Sequence, residues 1–172
     1  MKKQRDYSSW ILATWFGAGF LPKAPGTWGS LAAFPFAYVI STYGGPYALI
    51  IGAVALFLIG MWASNKVEKN ARKKDPGFIV VDEVVGQWIA LFPLSFLYNF
   101  LSPAFFCFFS ASVTVVAFIA FRIFDIWKPW PIRRVEKNIP GGLGIMLDDV
   151  IAGIYALIIT SALSAGILFV SL

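Results

Sequence analysis

Five long apolar runs, Trp28–Tyr43, Tyr47–Ser64, Ile79–Leu101, Pro103–Phe124 and Val150–Leu172, take up most of this 172-residue chain, with charge gathered at their edges. A hydrocarbon core takes roughly 20 residues of helix to cross. The runs therefore predict an all-α, polytopic membrane helix bundle of about five spans, a single integral-membrane domain over residues 1–172 with no room for a separate soluble one. Only 13% of residues are charged, against about a quarter in an average globular protein, and the mean hydropathy is +0.75. The first run is short, about 24 Å at the helical rise, and Pro35 interrupts it. Ahead of it, Trp10–Phe20 covers half a bilayer and closes on Gly17, Gly19 and Pro22, which predicts an interfacial or re-entrant segment. Lys2, Lys3 and Arg5 resemble a signal-peptide n-region, but no small-x-small cleavage site follows.

Charge gives the expected orientation. All the basic residues fall in three stretches: Lys2 to Lys23, Lys66 to Lys74, and Arg122 to Lys137. With five spans these share one side, which the positive-inside rule makes cytoplasmic. The net charge of +5 then reads as orientation and attraction to anionic lipid, with no basic-aromatic module for nucleic acid. No internal repeat of the inverted-transporter kind is visible.

The same parity puts Asp82, Glu83, Asp125, Asp148 and Asp149 at the cytoplasmic ends of helices, leaving Asp6, Glu68, Asp75 and Glu136 as the only other acids. A carboxylate beside hydrocarbon needs a cation, a helix N-terminus, a metal or water. The chain has no histidine, which removes His bases, phosphohistidine and the commonest zinc ligand. Its one cysteine, Cys107, lies in an apolar run, forms no intrachain disulfide and reads as a small hydrophobe. Chemistry is left to carboxylates, Lys, Arg, hydroxyls and hard metals.

Four stretches can carry that chemistry. Pro22 to Ser30 is irregular, and Thr27 or Ser30 either caps the following helix or, with Lys23 and free N–H groups, holds a phosphate. Asp82 and Glu83 open a helix and point about 100° apart, so they complement the macrodipole or grip two sides of one ion. Gly86, four residues on, lets another helix approach. Arg122, Asp125 and Lys128 recur every third residue on one face until Pro129 and Pro131 end the helix, forming an ion-pair ladder or a metal ligand between phosphate clamps. Trp127 and Trp130 read as interfacial anchors. Finally Gly141, Gly142 and Gly144 predict a flexible loop, with Asp148 and Asp149 opening the last helix, either as caps or as ligands. The glycines lack the Gly-Lys-Ser/Thr ending of a Walker loop.

Together these stretches bring hard oxygen ligands and cations to one membrane surface. Carboxylates without imidazole or thiolate select Mg²⁺, Mn²⁺ or Ca²⁺, and magnesium favours a few carboxylates plus substrate phosphate. The residues thus predict a metal-dependent enzyme acting on a phosphate-bearing membrane lipid. A CDP-alcohol phosphatidyltransferase-like enzyme would need a longer Asp-Gly-x2-Ala-Arg pattern, and a carboxylate-based cation transporter would place acids at mid-bilayer.

At these residues the chain resembles the bacterial phosphatidylglycerophosphatase A family. The matching pieces are Pro25-Gly26-Thr27-Trp28-Gly29-Ser30, Asp82-Glu83-Val84-Val85-Gly86, the stretch from Phe121 to Arg133, and Gly141-Gly142 with Asp148-Asp149. The resemblance implies a Mg²⁺-dependent hydrolase of the bacterial cytoplasmic membrane. Its expected reaction removes the terminal phosphate of phosphatidylglycerophosphate, at the cytoplasmic face, giving phosphatidylglycerol and inorganic phosphate. Asp82, Glu83, Asp125, Asp148 and Asp149 are then expected to share the metal work, one of them serving as base or nucleophile. Lys128, Arg122 and Arg133 are expected to neutralise the phosphoryl oxygens, with Thr27 holding the phosphate.

Overall fold

The structure is a computed structural model. It describes residues 6–100 and 103–171, the side chains of 99–100, 103–109 and 170–171 excepted, so the cysteine side chain at 107 and the basic residues at 2, 3 and 5 lie outside what it describes. Every element among them is helical: α1 (Tyr7–Ala13), a 3-10 turn (Ala18–Phe20), α2 (Pro25–Gly44), α3 (Ala48–Ala71), α4 (Val81–Phe100), α5 (Pro103–Trp127), α6 (Ile132–Asn138) and α7 (Gly141–Ser171). Among the described residues, α3, the Ser110–Trp127 part of α5 and the Gly141–Phe169 part of α7 are long and apolar enough to cross a membrane.

Helix α4 is central, packed against α2, α3, α5 and, most extensively, α7. Its residues Val81, Val84, Val85, Ala90 and Leu91 are almost wholly buried, whereas α3 turns Ile51, Val54, Leu58 and Ile59 outward and α5 does the same with Val115, Ile119 and Ile123. Apolar residues on the outside are what lipid contact requires, and small and polar residues then hold helices together within. Ser41 of α2 and Ser95 of α4 share a hydrogen bond of 2.8 Å, the Trp88 indole donates to Ala33 O, and the Thr160 hydroxyl of α7 donates to Ala90 O at 2.9 Å.

A close crossing joins α4 and α7 through two glycines. A Cβ on Gly153 would lie 2.6 Å from Gly86 O and 3.0 Å from its Cα, and a Cβ on Gly86 would lie 2.7 Å from Asp149 O. No other residue fits either position without moving backbone. The contacts advance in step along both helices, from Asp82 with Asp149, through Gly86 with Gly153, to Ala90 with Thr160, so α4 and α7 run parallel.

Two sequence expectations are corrected. Gly141 to Gly144 form no flexible loop: they are the first turn of α7, and Asp148 and Asp149 lie well inside it rather than at a cap. The glycines are there for contact, since a side chain at Gly142 would fall on Met61 O of α3 and one at Gly144 on Ile139 O. Nor do Thr27 and Ser30 cap α2. The helix starts at Pro25, which needs no N–H donor at that position, its N-cap is Ala24, and the Ser30 hydroxyl donates back to Gly26 O.

The segment before α2 forms α1 and a short turn. The Trp10 ring stacks on Phe78 at 5.3 Å, the Trp15 indole donates to Ala32 O, and Val80 N–H donates to Ala13 O at 2.8 Å. These contacts hold it against the start of α4, next to the acids.

Candidate active site

The parallel glycine crossing builds the centre of the site. Asp82 and Asp149 each precede their contacting glycine by four residues, one helical turn, and so occupy the same face as that glycine. Where the glycines touch, the acids meet. One carboxylate oxygen each from Asp82, Glu83 and Asp149 lie within 4.8 Å of one another, with Asp82 and Asp149 buried. Asp82 Oδ1 and Glu83 Oε2 have no hydrogen-bond partner among the described residues. Three carboxylates this close, two of them buried, repel one another unless a cation or protons intervene. Hard, unsatisfied oxygens in a group are a donor set that fits a divalent metal ion of the magnesium or calcium type.

Helix α2 roofs this cluster. A side chain at Gly26 would fall on Glu83 Oε1 and lie 3.0 and 3.2 Å from the two terminal nitrogens of Arg122. The N–H groups of Gly26 and Thr27 precede the first helical bond, which runs from Trp28 N–H to Ala24 O. Glycine is thus required because the start of α2 is brought up against the Glu83 carboxylate and the Arg122 guanidinium, and the free N–H groups of a helix N-terminus suit an oxyanion. Thr27 is half-buried in that turn, whereas Lys23 is exposed ahead of it.

The row on α5 splits between two jobs. Arg122 pairs with Asp125 at 2.7 Å, three residues apart as the spacing predicted, and Asp125 lies within hydrogen-bonding reach of Asp149. Lys128 takes no part in that ladder. The helix ends at Trp127, Lys128 adopts a left-handed conformation with φ 47°, and its ammonium reaches Asp148 at 2.7 Å and Glu136 of α6 at 3.0 Å. Burial alone would lower the pKa of Lys128, but the carboxylates of Asp148 and Glu136 outweigh it and hold the group above the usual lysine value. Lys128 is a permanent cation.

Adjacent acids on α7 therefore part company. Asp149 faces the carboxylate cluster, and Asp148 faces Lys128 and a hollow of about 380 Å³ lined by Glu68, Asp75 and Glu136. Arg133 is exposed on α6, in a different hollow that Lys128 also lines. Sequence reasoning missed Glu136, for which no spacing rule links α6 to Lys128. It gave no role to Gln87, fully buried with both amide atoms unpartnered among the described residues. The signal for Gln87 was available, because it follows Glu83 by four residues on the same face.

A helical bundle with apolar outer faces, and with clustered carboxylates, an arginine and a helix N-terminus gathered at one end, is the architecture expected of a membrane-associated enzyme of phosphate esters. The family model of phosphatidylglycerophosphatase A matches residues 11–164, and the chain belongs to that family. It is 40% identical over 160 residues to a phosphatidylglycerophosphatase A of Escherichia coli strain K12, covering 92% of this chain and 80% of the relative. A protein of the same name from Haemophilus influenzae is 37% identical over 89% of this chain and 86% of its own. A Bacteroides thetaiotaomicron relative, provisionally named a phosphatidylinositol-3-phosphatase, is 35% identical over 91% of this chain and 94% of its own. No solved structure matches the chain.

Proposed function

We propose that this protein hydrolyses the terminal phosphate of phosphatidylglycerophosphate in a Mg²⁺-dependent reaction, at the cytoplasmic face of the bacterial inner membrane. The reading rests on one observation above the others: Asp82, Glu83 and Asp149 converge beneath the N-terminus of α2, beside Arg122. Family membership supports a phosphatase over the transferase and transporter readings.

Asp82, Glu83 and Asp149 would hold the metal ion, with Asp125 positioned against Asp149 by Arg122. When bound, magnesium neutralises phosphoryl charge and orients the phosphate. Arg122 and the Gly26 and Thr27 N–H groups would receive the phosphoryl oxygens, and the Thr27 hydroxyl would add a donor. Lys128, already engaged by Asp148 and Glu136, would fix the edge of the site and present positive charge to the approaching headgroup. Arg133 would serve that approach from α6. Burial of the acids keeps bulk water from screening these charges.

For the topology we retain five spans, α2, α3, α4, α5 and α7, with α1 at the interface. The parallel run of α4 and α7 supports this, since both then start from the acidic, basic-loop side.

The deciding experiment is phosphate release by the purified protein from phosphatidylglycerophosphate and from phosphatidylinositol 3-phosphate, with Mg²⁺ and with EDTA. Release from the first lipid alone, abolished by EDTA and restored by Mg²⁺, is the expected result. Preference for the inositol lipid would overturn the substrate, and full activity in chelator would overturn the metal.

A further inference from the structure

Outside the carboxylate cluster lies a hollow of about 560 Å³ where α5 meets α6, whose charged lining is entirely basic: Lys128, Arg133, Arg134 and Lys137, with Trp127 and Trp130 beside them. Lys128 is committed to Asp148 and Glu136, but Arg133, Arg134 and Lys137 form no ion pair among the described residues. Unneutralised cations around one cavity make a place for an anion. Its rim says where that anion comes from. Trp127 and Trp130 are 65% and 75% exposed and stand at the end of a helix apolar enough to cross a membrane. Exposed tryptophan at that depth belongs at the headgroup level of the bilayer.

The hollow is also built in place rather than hung on a loose turn. Ile132 of α6 is fully buried, and the Tyr155 hydroxyl of α7 donates to Trp130 O at 2.9 Å. One wall of it, Lys128, touches the acid adjacent to Asp149, so the hollow opens next to the carboxylate cluster.

We propose that this hollow binds the phosphodiester of an anionic phospholipid headgroup and is the subsite for the lipid's inner phosphate while the outer phosphate lies at the carboxylates. This deepens the lipid-phosphatase reading and rests on it for the outer phosphate, though not for the binding of the diester. A substrate with two phosphates joined through glycerol needs two cationic clamps. Arg122 serves one end, and Arg134 and Lys137 supply the other. Both latter residues belong to α6 and have no place in the reaction centre.

The probe is phosphatidylglycerol, which carries the diester and no terminal phosphate. Full-length protein is placed in vesicles of phosphatidylcholine containing brominated phosphatidylglycerol or brominated phosphatidylcholine, and quenching of tryptophan fluorescence is compared for wild type, Arg134→Gln, Lys137→Gln and the double variant. Wild type should prefer the anionic lipid, and the double variant should lose about thirtyfold of that preference, each cation near a surface contributing an equal factor. The double variant should also show KM for phosphatidylglycerophosphate raised by a similar factor with kcat unchanged. Equal lipid preference in wild type and variant would overturn the proposal, as would release of the lipid by inorganic phosphate, which would make the hollow a site for soluble anions. If lipid preference behaves as expected but no lipid phosphate is hydrolysed, the enzyme reading fails and the diester site stands.

Discussion

Replacing Gly153 by alanine tests the construction of the site without touching any acid. In an exposed helix the change would help, by about 1 kcal/mol of helix propensity. Here the new Cβ would lie 2.6 Å from Gly86 O, so α4 and α7 must part by roughly 0.8 Å to restore ordinary van der Waals contact. Overpacking of that sort costs about 1–3 kcal/mol, which exceeds the propensity gain. The separation is transmitted one turn along both helices to Asp82 and Asp149, where a displaced reacting geometry costs on the order of 100-fold. Gly166 is the control on the same helix, because a Cβ there meets nothing within 4 Å. Gly153→Ala should lower the melting temperature, cut turnover at least tenfold per monodisperse molecule and weaken Mg²⁺ activation. Gly166→Ala should keep full turnover. If the two variants behave alike, the glycine crossing does not set the geometry of the acids.

Asp125→Asn keeps shape and hydrogen bonding but removes charge, and should lose most turnover while the protein still inserts; near-normal kcat on purified protein would remove Asp125 from the reaction centre. Lys128→Met leaves buried Asp148 without its cation and should destabilise by about 3 kcal/mol, whereas Lys128→Met with Asp148→Asn should be less destabilised than the two single changes added together; strict additivity in denaturation would show that the pair is not coupled. Because the folded-state pKa of Lys128 is raised, its stabilisation is complete below the usual lysine value and is lost only as pH rises through the higher folded value. Melting temperature between pH 7 and 9 should therefore not report Lys128 deprotonation, and a Lys128-dependent fall within that window would contradict the pairing. Cysteine labelling at Gly45 should come from outside the cell and labelling at Lys73 from the cytoplasm; the reverse, or a shared side, would defeat the five-span topology.

The sequence disclosed what depends on hydropathy and local spacing. The ends of α4 and α5 fall close to the edges of their apolar runs, α3 starts at its run but continues past Ser64 to Ala71, and Arg122 with Asp125 pairs at the spacing that a helix dictates. It misread what depends on a neighbour. Gly142 and Gly144 look like loop residues until α3 and Ile139 are seen pressing on them, and that contact is tertiary. The division of labour between Asp148 and Asp149 has the same cause: both acids were legible, but the rotation of α7 that sends one to Lys128 and the other to Asp82 is set by the Gly86–Gly153 contact. In the sequence the α6 residues belong only to the basic stretch Arg122 to Lys137, and the fold-back of that helix gives Lys128 a second carboxylate in Glu136.

The outward apolar faces of α3 and α5 carry a thermodynamic consequence. In water-soluble domains, unfolding exposes apolar surface and raises the heat capacity by about 12–15 cal/mol/K per residue. Here Ile51, Leu58, Ile119 and their neighbours are exposed on the outside of the bundle; with those faces in a membrane or micelle, helices that separate there keep them out of water. Little new apolar surface then reaches water. Denaturation in detergent should show a much smaller heat-capacity increment and a flatter stability curve, and cooling should do little to loosen the bundle. Resistance to heat will instead follow the close contacts and hydrogen bonds between helices, such as those at Gly153, Ser95 and Thr160.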